Sequence, residues 1–376
     1  MEKIWLSSPH IGTKEQEYVN QAFQTNWVAP LGPNVDEFEK QISQFVGVED
    51  TVSLCSGSAA IHLALIACGV KSVDTVLCQS FTFGASAFPI AYLNSTPVFI
   101  DSESTTWNMD PVLLENAIQD HLNIEKKPAA IIVVHLYGMP AKMNEIKAIG
   151  AKYEIPVIED AAEALGSSYF GQKCGGLGEI GILSFNGNKI ITTSGGGALL
   201  SNDKRVINTV RHLSAQAKEP APFYLHKDIG YNYRLSNVSA GIGRGQMEVL
   251  ESRIAKRRSI FEKYKIALGS VEGILFLDEP DGLISNRWLT TVLFDESKMG
   301  IGVNEKVRVF LEAHNVESRP LWKPLHQQPV FEQCKAYLNG VSDQLFATGL
   351  CLPSGSNLSE SDQDRVIDLI LKCLQS

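Results

Sequence analysis

Apolar residues along this chain follow two alternating rhythms. Short unbroken runs lie at Thr51–Cys55, Thr75–Cys78, Pro97–Ile100, Ala129–Val134, Pro156–Ile158, Ile182–Phe185 and Gly197–Leu200. Between them apolar positions recur every three or four residues, as in Ile61–Ala67, Ala85–Leu93, Pro111–Asp120 and Met143–Tyr153. A run without a polar face predicts a strand covered on both sides, and the helical stretches supply the cover. The pattern predicts an α/β protein whose mostly parallel sheet lies between helices. Ahead of it, Thr13–Asn26 and Val35–Val46 predict two peripheral helices. The turn between them, Trp27–Pro33, is too apolar for an ordinary solvated loop; it covers a pocket or an interface, or packs in the core.

After Leu200 the chain is polar through Lys218–Pro222, and Gly230–Asn237 then leads into a long helix from about Val238 towards Lys263. One side of that helix is small, at Ala240, Gly241, Gly243 and Gly245, which permits close helix approach. Trp288–Phe294 and Val316–Pro320 predict strands, and Glu305–Ala313 and Glu360–Leu374 predict helices. A chain of 376 residues exceeds one hydrophobic core. We therefore expect a large domain over 1–250 and a smaller α+β domain over 251–376.

Ligands of open α/β sheets sit outside the carboxyl ends of the strands. Those positions hold Ser56-Gly57-Ser58, Phe81-Thr82-Phe83, His135-Leu136-Tyr137-Gly138, Glu159-Asp160-Ala161-Ala162-Glu163 and Ser184–Lys189. The small-residue turn at 56–60 opens a helix, so its free N–H groups suit a phosphate; Ser58 as a plain N-cap is the alternative. His62 is read as a helix residue without a special role. Asp160 ends an apolar run and needs a cationic or donating partner if buried, for which a protonated heterocyclic nitrogen would serve. Lys189, set among Phe185, Ile190, Ile191 and the run Gly195-Gly196-Gly197, is either a lysine reaching to solvent or a desolvated, nucleophilic amine.

Composition narrows the partners. The formal charge of -9 disfavours nucleic acid, and the basic run Arg253–Arg258 reads as the wet face of a helix. Seven cysteines form no Cys-x-x-Cys pair and are expected as buried free thiols. No His, Cys or carboxylate cluster has metal-ligand spacing, so no metal is expected. Met1–Ile4 lacks a signal-peptide core, and no apolar run approaches the roughly 20 residues that cross a bilayer, so we expect a cytoplasmic chain without membrane contact. Gly176–Gly181 matches G-x-G-x-x-G but precedes a strand, which makes it a turn and not a dinucleotide site.

Eight segments in order resemble the pyridoxal phosphate (PLP) dependent nucleotide-sugar aminotransferases of the DegT/DnrJ/EryC1/StrS type. They are Asn26–Gly32, Ser56–Leu65, Phe81–Phe83, Glu159–Gly166, Ser184–Gly197, Gly230–Asn237, Arg319–Trp322 and Leu352–Gly355. The wording of Tyr231–Asn237 and Phe185–Gly197 looks most like the bacterial UDP-4-amino-4,6-dideoxy-N-acetyl-D-glucosamine transaminases of bacillosamine-type pathways. The resemblance implies the aspartate-aminotransferase-like, type I PLP fold and a homodimer with shared active sites. It makes Lys189 the residue that carries PLP covalently and shuttles the proton, Asp160 the partner of the pyridinium nitrogen, and Glu163 a neighbour of the ring oxygen. Gly57, Ser58 and Ser184 would hold the phosphate, Phe83 would stack on the ring, and Asn232 would reach the phosphate of a second subunit. Asn26, Trp27, Val28, Ala29, Ser56, Arg234, Arg319, Trp322 and His326 would serve the UDP-sugar or the L-glutamate donor. Because the chain is acidic overall, Arg234, Arg319 and Lys323 are the expected local cations. Trp322 as lid core and His326 as a surface histidine are the plain alternatives. Other readings are transamination of a GDP- or dTDP-linked keto sugar or of a C3 ketone, and a PLP-binding regulator without turnover.

Overall fold

The computed structural model describes residues 2–375. Its helices are α1 (Lys14–Gln24), α2 (Pro33–Val46), α3 (Gly57–Ala67), α4 (Phe88–Tyr92), α5 (Pro111–Asn123), α6 (Met143–Tyr153), α7 (Lys204–Ser214), α8 (Asn237–Leu268), α9 (Glu296–Met299), α10 (Val303–Ala313), α11 (Val341–Thr348) and α12 (Glu360–Gln375). The strands are β1 (Asp50–Leu54), β2 (Thr75–Gln79), β3 (Thr96–Ile100), β4 (Ala130–Val134), β5 (Val157–Asp160), β6 (Ser168–Tyr169), β7 (Gln172–Lys173), β8 (Ile180–Ser184), β9 (Gly197–Ser201), β10 (Ile274–Phe276), β11 (Leu283–Ile284), β12 (Thr290–Phe294), β13 (Arg319–Pro320), β14 (Ala336–Tyr337) and β15 (Gly349–Leu352).

Eight strands form the main sheet in the order β1-β9-β8-β5-β4-β2-β3-β14. From β8 to β14 every pairing is parallel, and β9 alone runs against the rest, pairing antiparallel with both β8 and β1. The apolar runs explain this: all five residues of β4 are buried, because helices cover both faces. Two cores flank the sheet. One takes Ile131 and Val133 with α2, α5 and α6; the other takes Ile132 with Ile61, Leu63 and Leu65 of α3. Alternate side chains of one strand thus serve opposite layers.

The second unit is a four-stranded sheet, β10-β12-β15-β13, antiparallel throughout. Its core joins Ile260, Tyr264 and Leu268 of α8 with Val292, Val307, Leu350 and Val366. The α8 helix is continuous for 32 residues through position 250, so one rod belongs to both units. Each unit also borrows from the other: Ile4 bridges to Val316 in the small unit, while β14 pairs with β3 in the large one.

Three local expectations are corrected. The basic run is not simply a wet face, because Arg257 is 1% exposed and donates to the carbonyls of Trp288 and Ser354 and to the Ser7 hydroxyl. Burial, with Arg253 nearby, pulls its guanidinium down to about 9, so it still carries its charge at neutral pH. Ser56, and not Ser58, caps α3 by accepting from Ala59 N at 3.0 Å. Cys55 is exposed, beside the cavity described next, whereas Cys78, Cys174, Cys351 and Cys373 are buried.

Candidate active site

At the carboxyl ends of β1, β4, β5 and β8 the turns leave a cavity of about 340 Å3. It is lined by Ser56, Gly57, Ser58, Phe83, Ser86, Asp160, Glu163, Ser184, Lys189, Trp288 and Trp322, among others. These four strand ends, with Thr82 and Phe83 in the turn after β2, therefore converge on one space, as expected for an open sheet.

Two buried carboxyls form its floor. Asp160 is 4% exposed; Ser86 Oγ donates to its Oδ2 at 2.7 Å and Ala162 N to its Oδ1 at 3.2 Å. Burial raises the Asp160 carboxyl above its usual range, and the Ser86 hydroxyl and Lys189 only partly offset that. Glu163 is raised for the same reason, although Lys189 and the Tyr137 N–H (2.7 Å to Oε2) pull the other way. Lys189 Nζ lies 3.4 Å from Glu163 Oε1 and 4.1 Å above the Trp288 ring centroid. Its side chain is 13% exposed, which removes most of the water that a surface lysine keeps. Of the two readings of Lys189, the structure selects the enclosed amine.

The opposite wall is the start of α3, an 11-residue helix whose first N–H groups face the cavity at Gly57 and Ser58. Gly57 packs on Ser184, where a Cβ would stand 3.3 Å from the serine Cβ. Gly197 is tighter: a Cβ there would meet Gly57 N and Ser56 C, both at 2.5 Å. The pairing of Leu54 with Gly197 in the β1–β9 register imposes this approach. At that position the glycine is demanded by neighbouring backbone, not by a ligand.

A second cavity of about 580 Å3 adjoins the first and shares Thr82, Phe83, Asn188, Trp288 and Trp322 with it. Its walls are largely apolar, with Phe88, Leu321, Leu325 and Val330, and Arg319 and Lys323 lie along its lining. Arg319 is open to solvent and leans on Glu317 at 2.9 Å. The Phe83 and Trp322 rings stand 5.4 Å apart at the boundary of the two spaces.

The chain matches the DegT/DnrJ/EryC1/StrS aminotransferase family over residues 9–371. It belongs to that family. It is 51% identical over 373 residues to the protein of Bacillus subtilis named "Putative pyridoxal phosphate-dependent aminotransferase EpsN", covering 98% of this chain and 95% of that one. A GDP-perosamine synthase of Caulobacter vibrioides is 33% identical, covering 97% and 96%. Among solved structures, a DegT DnrJ EryC1 StrS aminotransferase from Brucella abortus superposes with a TM-score of 0.89 at 29% identity, covering 96% of both chains. The type I PLP fold, nucleotide-sugar aminotransferase activity and use of PLP follow from this membership.

The residues present fit the family's cofactor. PLP offers a cationic ring nitrogen, a phosphate and an aldehyde carbon that exchanges amines. A buried, upward-shifted Asp160 lacks a cation of its own, since Lys189 bonds to Glu163. The glycine turn at the α3 N-terminus, with Ser58 and Ser184, suits a phosphate. Lys189 supplies the enclosed amine.

Several expected residues of this family site lie elsewhere in the chain. Arg234 is spent on Glu39 (3.2 Å), which also takes Arg211 and Ser53, so it is not a free cation for substrate. His326 is neither a surface histidine nor a cavity residue, being fixed between Ser80 Oγ (2.7 Å) and Asp343 Oδ1 (2.9 Å). Asn26, Trp27, Val28 and Ala29 line neither cavity; they dock on α8, where Asn237 Nδ2 donates to Trp27 O and Asn237 N to Ala29 O. Asn232 is exposed and bridged to Ala215.

Sequence reasoning missed Trp288, which it treated only as the start of a strand. Trp288 is 1% exposed and its Nε1 donates to Asn188 O at 2.8 Å, holding the indole beneath Lys189. It also gave Glu159 no role. His135, Glu159 and Cys174, from three separate segments, bring their donor atoms within 4.8 Å of one another. The carboxylate and the imidazole are spent on each other and on backbone: Glu159 takes His135 Nε2 at 2.8 Å and the N–H groups of Gly175, Leu177 and Gly178. The G-x-G-x-x-G segment thus wraps a carboxylate of the protein itself. Among the described residues, no helix is long and apolar enough to cross a membrane.

Proposed function

We propose that the chain transfers the amine of L-glutamate to C4 of a UDP-linked 4-keto-6-deoxy-N-acetylhexosamine, giving the UDP-4-amino-4,6-dideoxy sugar and 2-oxoglutarate. The observation that carries this reading is the larger cavity opening beside Lys189, with apolar walls and Arg319 and Lys323 in its lining. Apolar walls suit a deoxy sugar, and two cations suit a diphosphate. The wording of Phe185–Gly197 and Tyr231–Asn237 supports the UDP-linked acceptor.

In this reading Lys189 Nζ would hold the cofactor and would take and return the proton that amine exchange requires. Glu163, 3.4 Å away, orients that amine. Asp160 would pair with the ring nitrogen and hold it protonated, and the bound cofactor would supply the electron sink. Ser58, Ser184 and the Gly57 N–H would anchor the phosphate, Phe83 would cover the ring, and Trp322 with Ser56 would contact the acceptor or donor. Asn232 and the apolar turn Trp27, Val28 and Leu31, exposed at 40%, 53% and 54%, belong to a homodimer interface that completes each site from the partner chain. The surroundings are the cytoplasm, where nucleotide sugars are made.

GDP-perosamine synthases at 30–33% identity favour a second reading, a GDP-linked acceptor of the perosamine type. Offering UDP-, dTDP- and GDP-linked 4-keto-6-deoxy sugars with L-glutamate, and following 2-oxoglutarate, separates the two. Faster turnover of the UDP sugar is expected, and equal rates with all three would refute the assignment.

A further inference from the structure

Tyr137 is a buried aromatic residue, 4% exposed, held at φ 54° and ψ 18°. That left-handed conformation favours glycine or asparagine, and a tyrosine stays there only where its surroundings over-determine it. Three contacts do so. Its backbone N–H donates to Glu163 Oε2 at 2.7 Å, next to the oxygen that meets Lys189. Its hydroxyl accepts from Trp322 N at 2.8 Å, 185 residues further along. Its ring lies nearly parallel to both Trp288 and Trp322, each 6.4 Å away at 16° and 10°. Tyr137 lines neither cavity, yet each partner lines at least one of them. Burial and the neighbouring Cys351 and Glu163 keep its phenol protonated, hence able to donate as well as accept.

We propose that Tyr137 is a positioning residue that tethers the small-unit strap at Trp322 to the Glu163–Lys189 pair, and so sets the acceptor wall relative to the reacting amine. The proposal rests on assigning the larger cavity to the acceptor sugar. A single fixed residue then couples the two units at the place where the cavities meet. The donor amino acid is small and reacts at Lys189; the acceptor carries a nucleotide and depends on the far wall. Loosening the strap therefore penalises the acceptor selectively.

The test uses the holoenzyme and whichever nucleotide keto sugar the natural chain turns over. Tyr137→Phe keeps the ring and the backbone bond to Glu163 and removes the hydroxyl's bonds to Trp322 N and to the Cys351 thiol. Hydrogen–deuterium exchange of the Trp322 amide is expected to rise about fivefold, since one lost hydrogen bond of roughly average strength, about 1 kcal/mol, corresponds to that factor. The Leu321 and Leu325 amides, bonded to Gly349 O and Ser80 O, serve as internal controls and stay slow. The acceptor KM rises about fivefold while the glutamate KM and the visible absorption of bound cofactor move less than twofold. Unchanged exchange at Trp322 overturns the tether. Faster exchange with an unmoved acceptor KM overturns its link to the acceptor, whereas the comparison of nucleotide sugars tests the substrate reading separately. A joint rise of both KM values with cofactor loss shows a merely structural role and also overturns the proposal. Should the variant not fold, the natural chain decides: rapid exchange of its Trp322 amide alongside slow Leu325 exchange refutes the bond.

Discussion

Glu159 lies one residue before Asp160 and has no exposed surface, which makes Glu159→Gln an informative perturbation. Oε1 receives His135 Nε2 and Gly175 N, and Oε2 receives Leu177 N and Gly178 N. His135 Nδ1 accepts the Ala141 N–H at 2.9 Å, so the ring proton must sit on Nε2 and point at Glu159. A glutamine in the same position keeps one acceptor oxygen. Its NH2 group then faces two N–H donors, whichever way the amide is turned. Each buried donor left without an acceptor costs about 1–3 kcal/mol, giving a loss of about 2–6 kcal/mol before relaxation. Against a typical total of about 5–15 kcal/mol, that is a large fraction.

The assay is urea unfolding of the cofactor-free chain across pH, with cofactor titration at neutral pH. Burial raises Glu159, but the His135 donor and the backbone N–H groups of Gly175 and Gly178 together hold it below the usual 4.5. A depressed folded value means the unfolded chain binds the proton first as pH falls. The stabilisation is therefore fully present above about pH 4.5 and is lost as pH drops through the folded value. The gap between natural chain and variant should be largest at neutral pH and should shrink in acid. Cofactor affinity should fall too, because the loop 174–178 and the end of β5 lose their common anchor. A gap under about 1 kcal/mol at pH 7, below the cost of one orphaned donor, or a gap that widens in acid, refutes the reasoning.

Two further outcomes are expected. Lys189→Ala should abolish both turnover and the visible absorption of bound cofactor; a variant that retains both would remove Lys189 from the chemistry. Gly197→Ala drives a Cβ to 2.5 Å from Gly57 N, and displacing the α3 N-terminus should weaken cofactor binding at least about tenfold, as one disturbed charge-assisted hydrogen bond does. Unchanged affinity by equilibrium titration would show that this turn does not seat the phosphate.

The strand ends were legible because each combined a continuous apolar run with an abrupt polar or small-residue turn, a local signal. Thr51–Ser58 and Pro156–Glu163 needed nothing from elsewhere in the chain. The misread residues all owe their environment to distant segments. Arg234 meets Glu39 of α2, and His326 meets Ser80 at the end of β2, pairings that no spacing announces. Arg257 was read from its neighbours as solvated. Its carbonyl partners follow β12 and β15 topology, so only the folded chain reveals its burial. Trp288 reaches Lys189 because residues 284–290 cross from the small unit back over the large one, where Asn286 Nδ2 holds Glu163 O and Leu165 O.

Asp160 and Glu159 carry the same kind of group on adjacent positions of one strand, and the fold shifts them in opposite directions. Alternation along β5 sends Glu159 away from the cavity, into a shell of four donors that holds it ionised. Asp160 faces the cavity with a hydroxyl and one backbone donor, and burial raises it. A cation beside a carboxyl raised by burial draws it back down towards its ordinary range. Glu159 is thus complete without a ligand, whereas Asp160 is completed by one. The first ties the strand end to the 174–178 loop, and for the second, which lacks a cationic partner, our proposal is that a cationic ring supplies it.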